Sequence, residues 1–125
     1  MDRKFVLTAF GYAIVGLALG IYMAASHNHG QLVTHAHIML VGFVVSFAYG
    51  LCHKLWLGNT TSALAVAQFY VHQAGALALF IGLFLLYGNF VDAAAIDPLL
   101  GIASVVVFLG VVMMKVLFLK APRSA

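Results

Sequence analysis

Charge is what this chain has least of: among 125 residues, six are Lys or Arg and three are Asp or Glu, together 7%. Soluble domains carry about 25% charged residues, so a water-soluble globule is excluded. The three carboxylates, Asp2, Asp92 and Asp97, all fall at the edges of apolar stretches. No carboxylate pair and no nucleophile–base–acid set is therefore available inside them. Cysteine is limited to Cys52. A single thiol excludes an internal disulfide and a Cys-rich metal site, and Cys52 reads as a small buried hydrophobe. No Cys-x-x-Cys-His run occurs, which excludes covalently attached haem. The six cations form no basic stripe, so nucleic acid is not an expected partner. No linker or low-complexity tract interrupts the chain, which reads as one domain, 1–125.

What is abundant is apolar surface, 65% of all residues. Four runs, Phe5–Ser26, His35–Trp56, Ser62–Tyr87 and Pro98–Leu119, are each long enough to cross a hydrocarbon core of about 30 Å, which takes about 20 helical residues. Backbone groups in lipid must bond within their own segment, so the runs are predicted to be helices. Short connections make consecutive helices antiparallel neighbours. The expected fold is an all-α membrane protein, four transmembrane helices in an up-down-up-down bundle. The first run is also longer than the 7–15 apolar residues of a signal peptide and reads as a span.

The basic residues set an expected orientation. Arg3 and Lys4 precede the first span, Lys54 lies at the second connection, and Lys115, Lys120 and Arg123 lie near the C-terminus. The first and third connections contain no Lys or Arg. By the positive-inside rule both termini are cytoplasmic, and a multi-pass protein of the cell inner (cytoplasmic) membrane is expected.

Histidine is the informative exception to this apolar pattern. His35 and His37 open the second span and His72 lies deep in the third. Ionisable side chains are rare in hydrocarbon and mark functional sites there, and imidazole is a common ligand for metals and haem iron. With His27 and His29 in the first connection, four imidazoles gather at the outer face. That number suits copper or zinc, although His27 and His29 equally fit a solvated turn. His35 and His37, two residues apart, diverge by about 200° around a helix, so one ligand and one neighbour is the better reading than a clamp. His53, beside Lys54 and Trp56, reads as an interfacial anchor. Counting back from Tyr87 puts His72 about 22 Å inward, at or below the midplane. Antiparallel counting sets it level with Gly42 and Met113, with Gly75 near it and Gly110 opposite. The same counting offsets His37 from His72 by about 9 Å. Those glycines serve either close helix packing or space for a flat macrocycle.

Val33-Thr34-His35-Ala36-His37-Ile38-Met39 resembles the second-helix signature of haem–copper oxidase subunit I, Thr-Ala-His-Gly-Leu-Ile-Met, whose histidine is an axial ligand of the low-spin haem. Aligning Ile38-Met39 puts that histidine at His35. The run His35–Phe43 is also similar to the His-Ala-His-Glu-Met-Leu-Phe-Gly-Phe run of the NnrS haem- and copper-containing membrane proteins, with Ile38 in place of the glutamate. Gln68–Gly75 looks like the following helix of oxidase-like proteins. Subunit I has twelve helices and further copper-ligating histidines, which four helices do not accommodate. The resemblance therefore implies a minimal haem-binding relative, without oxygen reduction or proton pumping.

The leading expectation is a non-covalent haem b held by His37 or His35 together with His72. Phe43, Phe69 and Tyr70 would wall it, and Gly42 and Gly75 would leave room. Bis-His ligation suits electron transfer, and a single histidine leaves a position for a small gas. Such a protein is a carrier, sensor or accessory protein rather than an independent enzyme. Its expected partners are the lipid bilayer, a redox partner or quinone, and further copies of the chain. Two alternatives stand beside it. One is a copper- or zinc-binding membrane protein using the outer histidines. The other is a non-catalytic assembly subunit whose polar residues hold helices together.

Overall fold

The computed structural model describes residues 1–123 and is all-helical among them. Helix α1 covers Asp2–Ser26. The second span, Leu32–Leu55, is continuous but changes winding: α2 (Leu32–His37) passes into a π-helical segment, Ile38–Val44, and then into α3 (Val45–Leu55). Helices α4 (Ala63–Tyr87) and α5 (Ala93–Lys120) complete the bundle. All four spans have the length and apolarity to cross a membrane, as the apolar runs predict.

Local chemistry sets the boundaries. His27 takes the left-handed conformation that ends α1 (φ 56°). Gly58 (φ 63°) and Asn59 (φ 53°) make the tight turn after α3. Ser62 caps α4, its Oγ accepting from the Ala65 amide at 3.2 Å. The fourth span starts earlier than expected, at Ala93, which leaves Pro98 inside α5 instead of at its start. Pro98, the sixth residue of α5, has no N–H for the Ala94 carbonyl, so one bond is missing from the second turn of the helix.

Packing follows two hairpins laid side by side. Helix α1 lies along the second span and α4 along α5. One half of the core joins Phe5, Tyr49, Phe69, Met114 and Leu117. The other joins Tyr12, Ile38, Phe80, Leu83 and Ala103. Alternating helix direction puts all six basic residues in the half of the bundle that carries both chain ends, and Asp92 at the opposite end. In a membrane-length bundle a core this apolar gains little from hydrophobicity, because lipid is as apolar as the interior. Close contact and interhelical hydrogen bonds hold it instead.

Candidate functional site

Polar side chains tie the helix seams. The Tyr12 hydroxyl on α1 donates to Gln73 Oε1 on α4 at 2.6 Å, and Gln73 Nε2 reaches Ser46 Oγ on α3 at 3.4 Å. Gln68 Nε2 donates to the Gly110 carbonyl of α5 at 3.0 Å. Near the other end Gln31 Nε2 donates to the Phe84 carbonyl, also at 3.0 Å. These groups lie in or near hydrocarbon, where an unpaired polar atom costs several kcal/mol.

Each of the three candidate ligand histidines has one ring nitrogen on a main-chain carbonyl. His72, fully buried, places Nε2 at 3.1 Å from the Val41 carbonyl in the π-helical segment. His35 Nδ1 lies 2.7 Å from the Gly16 carbonyl of α1, and His37 Nδ1 lies 2.8 Å from Val33 of its own helix. A carbonyl only accepts, so the bonded nitrogen carries the proton in each case. A neutral imidazole then keeps a lone pair on its other nitrogen, Nε2 in His35 and His37 and Nδ1 in His72.

From His72 to His53 runs a column of buried polar atoms without hydrogen-bond partners among the described residues: Gln68 Oε1, His72 Nδ1, Tyr49 Oη and both ring nitrogens of His53. Tyr49 meets His72 edge-on at 5.0 Å between ring centroids. Phe5 meets Tyr49 edge-on at 5.5 Å and stacks on His53 at 5.4 Å. His53 is thus fully buried beneath the first turn of α1, not an interfacial anchor as expected. Successive helical residues point about 100° apart, so Lys54 faces out while His53 turns in.

The remaining expected site residues are dispersed over several seams. Gly42 faces Tyr12 and Phe80: an added Cβ would lie 2.8 Å from Tyr12 Cγ and 3.0 Å from Phe80 Cε2. Gly75 faces α5, where an added Cβ would lie 2.9 Å from both Val106 Cγ1 and the Val107 amide nitrogen. Gly110 lies against the backbone and Cβ of His72. These glycines serve close helix contact. Phe43 belongs with Phe10 and Phe47 on the seam between α1 and the second span. Phe69 packs edge-on against Phe5 and Tyr70. His27 and His29 are exposed in the first connection. Among the described residues no three His, Cys, Asp or Glu side chains come together as a metal-binding group.

The donor set therefore suits an iron porphyrin better than the space does. The lone pairs are present and their tautomers set, but His35, His37 and His72 bond to three different carbonyls. The glycines level with His72 are filled by neighbouring helices. Accommodating a flat ring between the second span and α4 requires the two hairpins to part there. No protein-family model, no curated protein and no solved structure matches this chain.

The sequence reading missed the π-helical segment and the unpartnered column. No residue type encodes i→i+5 bonding. The spacing of Tyr49 and His53, one turn apart, and of Gln68 and His72, also one turn apart, was the signal available for the column.

Proposed function

We propose that this chain is a small b-type haem protein of the membrane, serving electron transfer or small-gas and redox sensing. Imidazoles of the second span and α4 (His35 or His37, with His72) supply the iron ligands. The observation that carries this reading is the state of the three rings. Ligating histidines commonly donate one ring N–H to a backbone carbonyl or carboxylate, which fixes the tautomer and orients the free lone pair. His35, His37 and His72 all have that arrangement. The resemblance of His35–Phe43 to haem-ligand segments points the same way. Haem b, when bound, supplies a one-electron couple or a position for a diatomic gas. The chain's own part is to present oriented imidazoles, His72 from the buried interior and His35 or His37 from the half-buried start of the second span. In this reading the cation-rich end faces the cytoplasm of a cell with an inner membrane, and a quinone or a protein redox partner exchanges the electron.

The test is the absorption spectrum of the full chain, expressed with haem supplementation and purified in detergent. A Soret band with reduced α/β bands is expected, lost in His72→Leu and in one of His35→Leu or His37→Leu. A colourless protein that is folded overturns the reading. So does an unchanged bis-histidine spectrum in all three variants.

A second reading, a non-catalytic assembly subunit, is favoured by one specific observation. Gln31, Gln68, Gln73 and His72 each place a hydrogen bond on a neighbouring helix. In that case His72→Gln, which keeps a donor for Val41, retains at least half of the stability that His72→Leu loses. A copper or zinc site at the outer histidines has no such support in the geometry.

A further inference from the structure

Between α1 and α4 an apolar groove of about 650 Å³ opens on the side of the bundle. Thr8, Gly11 and Leu19 line it on one side, and Leu77, Ile81 and Phe84 on the other. The lining of α1 repeats every three to four residues, so it is one continuous helix face about 16 Å long from Thr8 to Leu19. At Gly11 an added Cβ would meet nothing within 4 Å.

Beyond the end of the groove nearer the chain termini, a polar clasp joins the same two helices. Lys4, one turn before Thr8, donates from Nζ to Tyr70 Oη on α4 at 2.9 Å. The ammonium also lies 4.8 Å from the Phe69 ring centroid and 4.7 Å from that of Tyr70. Tyr70 precedes Leu77 by two turns on the same face of α4. Lys4 is exposed, and an ammonium has three protons, so two remain for another acceptor. Tyr70 accepts from Lys4 and keeps its own O–H to donate. The six basic residues share this half of the molecule.

We infer that groove and clasp together bind one anionic phospholipid from the leaflet at the chain termini. Its phosphate sits on Lys4 Nζ and Tyr70 Oη, and one acyl chain lies over Gly11 between α1 and α4. Charge selects the headgroup: juxtamembrane Lys and Arg favour anionic lipids over zwitterionic ones. Shape agrees with that occupant: a groove about 16 Å long and about 650 Å³ in volume runs along the helices and accepts one extended alkyl chain. A helix of a second copy would rest across its rim with only side chains inserted. No histidine takes part, so this inference stands apart from the haem reading.

Native mass spectrometry of the full chain, titrated with phosphatidylglycerol or phosphatidylcholine of identical acyl chains, tests it. One phosphatidylglycerol is expected to bind about fivefold more tightly than phosphatidylcholine, the effect of one cation near the headgroup plane. Lys4→Gln removes the preference. Tyr70→Phe, which keeps both rings, weakens it. Gly11→Leu fills the groove and lowers retention of both lipids without changing helix content by circular dichroism. Equal binding of the two lipids by the wild-type chain overturns the proposal, as does full lipid retention by Gly11→Leu. A wild-type dimer that Gly11→Leu dissociates also overturns it, by making a second copy the occupant.

Discussion

His72 on α4 and Val41 in the π-helical segment are joined by a ring nitrogen and a main-chain carbonyl 3.1 Å apart. Interhelical bonds of this kind in membranes are worth on average about 0.6 kcal/mol and at most about 1.7 kcal/mol. Replacing His72 by Leu removes the donor and leaves the Val41 carbonyl without this partner. The expected loss is about 1 kcal/mol in unfolding free energy, measured by denaturant titration in detergent. His72→Gln restores a donor and recovers about half of it or more. Equal losses in the two variants would show that the bond to Val41 contributes nothing.

The glycines of α4 and α5 divide into two classes by what surrounds them. A Cβ at Gly75 would lie 2.9 Å from the Val107 amide nitrogen, a backbone atom that cannot rotate away. At Gly101 it would meet nothing within 4 Å. Gly75→Ala is expected to destabilise by about 1–3 kcal/mol through overpacking. Gly101→Ala is expected to be neutral or to stabilise by up to about 1 kcal/mol through helix propensity. The pair is measured in one host under one detergent, and a reversed order contradicts the helix contact at Gly75.

The four spans were legible because a run of about 20 apolar residues matches the thickness of the hydrocarbon core and is seldom found in a soluble fold. The level of His72 was legible too: antiparallel counting put it beside Gly42 and opposite Gly110, and it bonds Val41 and packs on Gly110. Its partner was not, since a main-chain carbonyl has the same chemistry at every position. The burial of His53 is not legible, because Lys54 and Trp56 suggest an interface while the direction of a single side chain is set by rotation about the helix axis. The glycines were ambiguous between packing and a cofactor slot, and only their neighbours, Tyr12 with Phe80 and Val106 with Val107, distinguish the two.

Zinc separates the outer histidines from a true metal site. His35 and His37 each hold one nitrogen on a carbonyl, and His27 and His29 stand exposed in the connection. No group of three ligating side chains forms among the described residues. Stoichiometric Zn²⁺ is therefore expected to leave the thermal unfolding midpoint of the detergent-solubilised chain unchanged. A saturable rise with one metal per chain, lost in the double variant His27→Ala with His29→Ala, would restore the copper or zinc reading.

Two tyrosines test the polar interior with opposite signs. Tyr12 donates to Gln73 Oε1 at 2.6 Å, so Tyr12→Phe leaves that buried oxygen without its short bond. The expected cost is about 1 kcal/mol. Tyr49 Oη is buried and has no partner among the described residues. Tyr49→Phe removes a desolvated hydroxyl and keeps the edge-on ring contacts to Phe5 and His72. It is expected to be neutral or stabilising by up to about 1 kcal/mol, because an unpaired buried polar atom carries a desolvation penalty. Denaturant unfolding of both variants gives the comparison directly. If Tyr49→Phe costs as much as Tyr12→Phe, the Tyr49 hydroxyl has a bonding partner.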